Sequence, residues 1–153
     1  MAKNTIKLKN YSDVNEESTS TAVAITPGHL LELTSAGLVQ KHSGAGADVL
    51  PPMFAVEDEL WGRGIDDAYG VSTKIQVWIP GRGDQVYALL KDGEIVAIGA
   101  ALESAGDGTL QAHTADSASI VEYPNCIVGV ALEAVDLTAS ANTTAGRIKV
   151  RIV

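Results

Sequence analysis

The chain has 153 residues, 46% apolar and 20% charged, so it can bury one substantial core and is excluded from the disordered class. Its formal net charge is −8, from 11 basic and 19 acidic residues, which argues against a general nucleic-acid binder, because phosphate contacts need clustered Lys and Arg. Cys126 is the one cysteine, so no internal disulfide forms, and no apolar run approaches the roughly 20 residues that span a bilayer.

Residues 1–9 predict a short strand, with Ile6 and Leu8 on one face and Thr5, Lys7 and Lys9 on the other. The segment NYSDVNEESTST at 10–21 is polar and aperiodic, so 1–21 reads as an N-terminal arm and linker attached to a single β-rich domain at 22–153. No apolar signal core is seen in the first 17 residues, and a cytoplasmic site of synthesis is expected. The body opens with a hairpin, HLLEL and LVQKH around Ser35-Ala36-Gly37. Pro51 and Pro52 cannot donate to a ladder, so the segment after it is expected at an edge or crossing. WGRGIDDAYG, with Trp61 and Tyr69, reads as a loop, and an aromatic there is either a lid over the core or an interface anchor. Residues 74–79 alternate, Ile75, Val77 and Ile79 on one face against Lys74, Gln76 and Trp78 on the other. Trp78 on the polar face suggests burial against another subunit.

Asp92-Gly93 predicts a hairpin between 85–90 and 94–98, although 85–91 also reads as one or two helical turns. A second glycine turn at 105–108 precedes a strand over 109–114. The apolar run 127–135 predicts a central, doubly buried strand, and 147–153 alternates with Ile148, Val150 and Ile152 inward. Many short strands with turns every 8–12 residues indicate a sandwich or barrel.

No constellation for chemistry emerges. His29, His42 and His113 have no Cys, His or carboxylate at metal-ligand spacing; His29 and His42 could face each other at the open end of the first hairpin, but read as two surface histidines rather than a metal pair. There is no G-x-S-x-G elbow and no phosphate loop, and Cys126 sits in apolar context as a small core residue. Asp66-Asp67 and Asp107 read as loop and turn residues rather than calcium ligands, and Arg82-Gly83-Asp84 as a turn rather than a receptor motif. The expectation is a non-enzymatic chain with no catalytic residue, metal or cofactor. Lys3, Lys7 and Lys9 at one end, and Arg147, Lys149 and Arg151 at the other, make both termini basic around an acidic middle.

The order GRGIDDAYG, an alternating strand, PGRGDQVYALLKDGEIVAIGAALESAGDGTLQAH, IVGVALEAVDLT and a terminal GRIKVRIV resembles a family of small structural proteins of tailed bacteriophages, the capsid decoration or cement proteins, over residues 57–153. The resemblance implies a compact β-barrel or jelly-roll-like body, a homotrimer, and a seat on the outer capsid surface, bridging and stabilising neighbouring major capsid protein subunits. Its partners would be that protein and itself, with no nucleic acid or membrane. An arm with one strand suits strand addition to a capsid sheet, so the capsid-contact candidates are Lys3, Ile6, Lys7, Leu8 and Lys9. Trp61, Tyr69 and Trp78 are the subunit-interface candidates. A head-fibre base, a tail component, or a small ligand-binding or hydrolytic barrel remain open alternatives.

Overall fold

The computed structural model describes residues 4–9, 15–21, 23–114, 124–138 and 146–153. The strands are β1 (Lys7–Lys9), β2 (Asn15–Thr19), β3 (Leu30–Leu33), β4 (Val39–Lys41), β5 (Met53–Ala55), β6 (Lys74–Trp78) and β7 (Gln85–Leu90). They continue with β8 (Ile95–Val96), β9 (Ala101–Ser104), β10 (Leu110–Ala112), β11 (Gly129–Ala131), β12 (Val135–Asp136) and β13 (Gly146–Ile152). No helix among the described residues is long and apolar enough to cross a membrane.

Five strands close into a barrel. β7 pairs along its whole length with β13, β13 with β11, β11 with β9 and β9 with β10, all antiparallel. The ring closes where β10 meets β7 in parallel, Leu110 opposite Leu90. Successive strand residues point to opposite sides, so Val86, Ala88 and Leu90 of β7 and Ile148, Val150 and Ile152 of β13 fill the interior. Each of the Val, Leu and Ile side chains, fully buried, contributes about 1.5–3 kcal/mol relative to exposure.

A second antiparallel sheet runs β2-β6-β5-β3-β4. Its outer strands approach each other at one bridge, Ser20 with Val39, where Thr21 N donates to Val39 O at 3.0 Å. Both faces are buried. Leu30, Phe54 and Trp78 join the barrel core, whereas Leu31, Val39, Met53, Ala55, Ile75 and Val77 pack with Ile25 and Tyr69 into a second cluster.

The β-barrel expectation holds, and the first hairpin forms as predicted, β3 against β4 with Gly37 at φ +74 in the left-handed region that favours glycine. The detached arm does not hold. β1 pairs with β7, β2 pairs with β6 over five residues, and Ile6 is fully buried, so the described parts of 1–21 belong to both sheets. The polar sequence of β2 is explained by its place at a sheet edge. Trp78 is corrected too: the face it shares with Lys74 and Gln76 is open only at the Lys74 end, and the indole is covered within the chain by the barrel core. Lys91–Gly93 does turn, but β8 pairs with β12, and β7 uses its edges for other strands. β7 is strand, not helix. β5, just after Pro51-Pro52, lies between β6 and β3 rather than at an edge, because the prolines precede the paired residues. The apolar run near 127 shortens to β11, held between β9 and β13.

Ile6→Ala is therefore expected to cost about 2–5 kcal/mol of stability, read from the urea midpoint. Deleting residues 2–9 should destabilise the fold at least as much. A truncated chain with an unchanged midpoint would show that β1 contributes nothing to it.

Candidate functional site

The most exposed apolar side chains of the described residues sit on the turn that follows β5. Trp61 N and Arg63 N donate to Asp58 O at 3.2 and 3.0 Å, and Gly62 N donates to Glu59 O at 3.0 Å. These bonds wind Glu59–Trp61 into a 3-10 turn that points outward, leaving Leu60 95% and Trp61 80% exposed. Leu60 stands between two open grooves. One, of about 410 Å³, is walled by Thr5, Lys7, Asn15 and Glu57; the other, of about 310 Å³, by Glu17, Trp61, Arg63 and Lys74. The surface thus joins an apolar ridge to charged groups of both signs. That pairing suits docking of a protein surface, with an aromatic anchor and a polar rim.

The first groove also explains how the N-terminal strand is held. The Glu57 carboxylate accepts the Thr5 hydroxyl and, at 3.1 and 3.2 Å, the Ile6 N–H. Lys7 Nζ donates to Asn15 Oδ1 at 2.7 Å and lies 5.4 Å from the centroid of the Trp78 ring. Of the capsid-contact candidates, Ile6 is buried, Lys7 and Leu8 are half-buried, Lys9 is exposed, and Lys3 lies outside the described residues. Of the interface candidates, only Trp61 is exposed. Tyr69 is a lid, its hydroxyl donating to Val56 O at 2.7 Å, and burial pushes the phenol up to about 12. Trp78 is enclosed, and its Nε1 has no hydrogen-bond partner among the described residues.

The basic C-terminal strand is likewise committed inward. Arg147 donates to Pro27 O (3.0 Å), Ile65 O (2.6 Å) and Asp66 Oδ1 (3.1 Å), and its guanidinium carbon lies 5.8 Å from the Tyr87 ring centroid. Lys149 Nζ donates to Glu133 Oε2 at 2.5 Å, and that carboxylate holds the Lys149 ammonium above its ordinary range. Asp84, in the Arg-Gly-Asp segment, is fully buried and accepts Gly81 N at 2.8 Å, which makes it a turn residue.

The histidines do not face one another as a pair; each has its own polar partners. His42 Nδ1 lies 2.8 Å from Ser104 Oγ, with Nε2 3.2 Å from Asp48 O and 3.8 Å from Glu32 Oε2. Such a Ser–His–carboxylate order resembles a hydrolytic triad, but its sense is reversed. The hydroxyl is the fully buried member and already accepts Gly106 N at 3.2 Å, while the carboxylate is at the open end. His113 Nδ1 lies 2.6 Å from Glu103 Oε2, with Cys126 close by. Sequence spacing gave no hint of this last group, nor of Leu60. The first was readable only by setting the 105–108 turn into register, which places Glu103 opposite Gln111, two residues from His113.

The fold defines an all-β module, a closed five-stranded barrel sharing its core with a second five-stranded sheet. Among solved structures it is similar to the N base of head fiber gp8.5 in bacteriophage phi29, with a TM-score of 0.55 and 12% identity, covering 93% of this chain and 95% of that chain. At that identity the likeness establishes the fold. No protein-family model and no curated protein sequence matches the chain.

His29 gives the fold a testable pH dependence. Burial, with Lys41 nearby, lowers its pKa from 6.5 to about 4, so the folded chain keeps the imidazole neutral. Between those values the unfolded chain binds the proton and the folded chain does not, so stability is full above pH 6.5 and declines as pH falls through the window. The loss should reach on the order of 2 kcal/mol by pH 4.5. Urea midpoints at pH 7 and 4.5 should differ less for His29→Gln than for the parent chain; equal differences would count against His29 as the cause.

Proposed function

We propose that the chain is a non-enzymatic structural protein of a tailed-phage virion that sits on the outer surface of the head. The observation that carries this reading is the likeness to a head-fiber base over 93% of this chain and 95% of that one, which makes the whole described body the counterpart of a virion module. The order of turns and apolar runs over 57–153, similar to capsid decoration proteins, supports the same seat. The partners are the major capsid protein and, through self-association into a trimer, a second and third copy of the chain. In the cement reading, the bound protein bridges neighbouring capsid subunits and stabilises the shell. The structural likeness equally favours a fiber base, which would occupy the same surface and carry a projecting element.

The contact surface proposed is the Leu60–Trp61 turn rather than the basic strand at 7–9. Ile6 and the backbone of β1 are already used inside the fold, while Leu60 and Trp61 are exposed without an internal role in packing. An aromatic anchor of this kind is worth about 2 kcal/mol or more at an interface.

Co-sedimentation with shells that lack the protein tests this. Leu60→Ser with Trp61→Ser should weaken binding at least about 30-fold while leaving the folded chain intact. Undiminished occupancy would move the contact elsewhere, and no binding by the parent chain would sink the virion reading. Shell heat resistance separates the two roles: it should rise on binding of a cement protein and stay level for a fiber base.

A further inference from the structure

Glu103, His113 and Cys126 come from three separate segments and meet on the outside of the barrel. Leu102 and Leu110 are fully buried in the core, so strand alternation turns Glu103, Gln111 and His113 to the opposite face of the β9–β10 hairpin. The register sets Glu103 across from Gln111, and His113 N donates to Ala101 O at 2.8 Å, which extends the ladder one residue past β10. Cys126 ends the 3-10 turn Pro124–Cys126 that leads into β11, itself paired with β9.

One imidazole nitrogen, one sulfur and one carboxylate oxygen here lie within 4.8 Å of one another. Zinc–donor lengths of about 2.0–2.3 Å place tetrahedral ligands roughly 3.3–3.6 Å apart, so modest side-chain rotation brings all three onto one ion. The carboxylate is already aimed: Gln111 Nε2 donates to Glu103 Oε1 at 2.9 Å, leaving Oε2 toward His113 at 2.6 Å. Orienting hydrogen bonds of this kind accompany metal-bound carboxylates. Burial makes the same case. Glu103 is 8% and Cys126 5% exposed, so an ion held between them would be shielded from water, which strengthens its attraction to the carboxylate. A divalent ion bound to carboxylate, thiolate and neutral imidazole gives a locally neutral site, with the thiol proton released to solvent. The mixed sulfur, nitrogen and oxygen set selects a zinc-type ion over calcium or magnesium.

We propose that Glu103, His113 and Cys126 form a zinc-type divalent metal site, with solvent in the fourth position, that staples the β9–β10 hairpin to the segment entering β11. The site departs from the absence of metal expected from sequence and is independent of the virion reading.

The test uses the untagged full-length chain, stripped with chelator and titrated with Co²⁺ and then Zn²⁺. A 1:1 complex should form, with intense visible bands of tetrahedral cobalt and a near-ultraviolet thiolate-to-cobalt band, both lost on adding Zn²⁺. Because the chain has one cysteine, that band assigns Cys126 as a ligand without any variant. Zn²⁺ at a hundredfold excess over its Kd should raise Tm by about 5 °C or more. Cys126→Ser should abolish the near-ultraviolet band, and His113→Ala and Glu103→Gln should each weaken binding at least about tenfold. A parent chain without the thiolate band, or variants that bind Co²⁺ as tightly as the parent, would overturn the proposal.

Discussion

Strand β7 has one edge that three distant segments must complete. Tyr87 N donates to Ile6 O (2.8 Å), Leu89 N to Gly28 O (3.0 Å) and Lys91 N to Leu110 O (2.8 Å), while β13 occupies the other edge. A buried N–H left unpaired costs about 1–3 kcal/mol, so the fold closes only when the N-terminal strand, the turn at Gly28 and β10 all arrive. Gly28 is favoured as glycine by its backbone conformation, and a side chain there would also displace Arg147. Its φ is +93, and a Cβ there would lie 2.5 Å from Arg147 Nη1. Arg147 in turn bonds Pro27 O and Ile65 O, so β13 fixes two connections of the second sheet, the one between β2 and β3 and the one between β5 and β6. Sequence ends and sequence middle are joined at β7.

This dependence explains what was legible in the sequence. Turns were, because glycine with a positive φ marks them locally: the loop at Gly37 and the turn at 106–108 fell where expected. Strand faces were legible where one side meets a core, as in β13. Pairing partners were not. Asp92-Gly93 turns the chain, but which strand completes β7 is decided by hydrogen bonds to residues 6, 28 and 110, far away in sequence. The two-faced burial of the second sheet was hidden for a related reason. Alternation in β6 separates Ile75 and Val77 from Trp78, yet both sets are buried, one in each cluster, so the polar neighbours of Trp78 misdirected it to a surface.

The charge pattern reads differently once folded. Basic residues stand at both ends of an acidic sequence, but Arg147 and Lys149 pair with Asp66 and Glu133, and Lys7 engages Asn15 and the Trp78 ring. Lys7, Arg147 and Lys149 therefore help seat the first and last strands on the body. With a net charge of −8, association with another acidic surface must rely on apolar burial more than on long-range attraction.

Barrel closure limits how such a module attaches to anything. Strand addition by the N-terminal strand would require it to be free, and here one edge of β1 is spent on β7, while the outer strands of the second sheet touch at a single bridge, Ser20 with Val39. Projecting turns offer side chains for recognition that the fold does not use internally. Only about one residue in eight is identical between this chain and the head-fiber base it resembles in backbone, so the likeness is one of fold. The turn at Leu60–Trp61 meets the requirement in physical terms. Its backbone is fixed by bonds to Asp58 and Glu59, so ordering it costs a partner little entropy, and its two apolar side chains gain most from being covered.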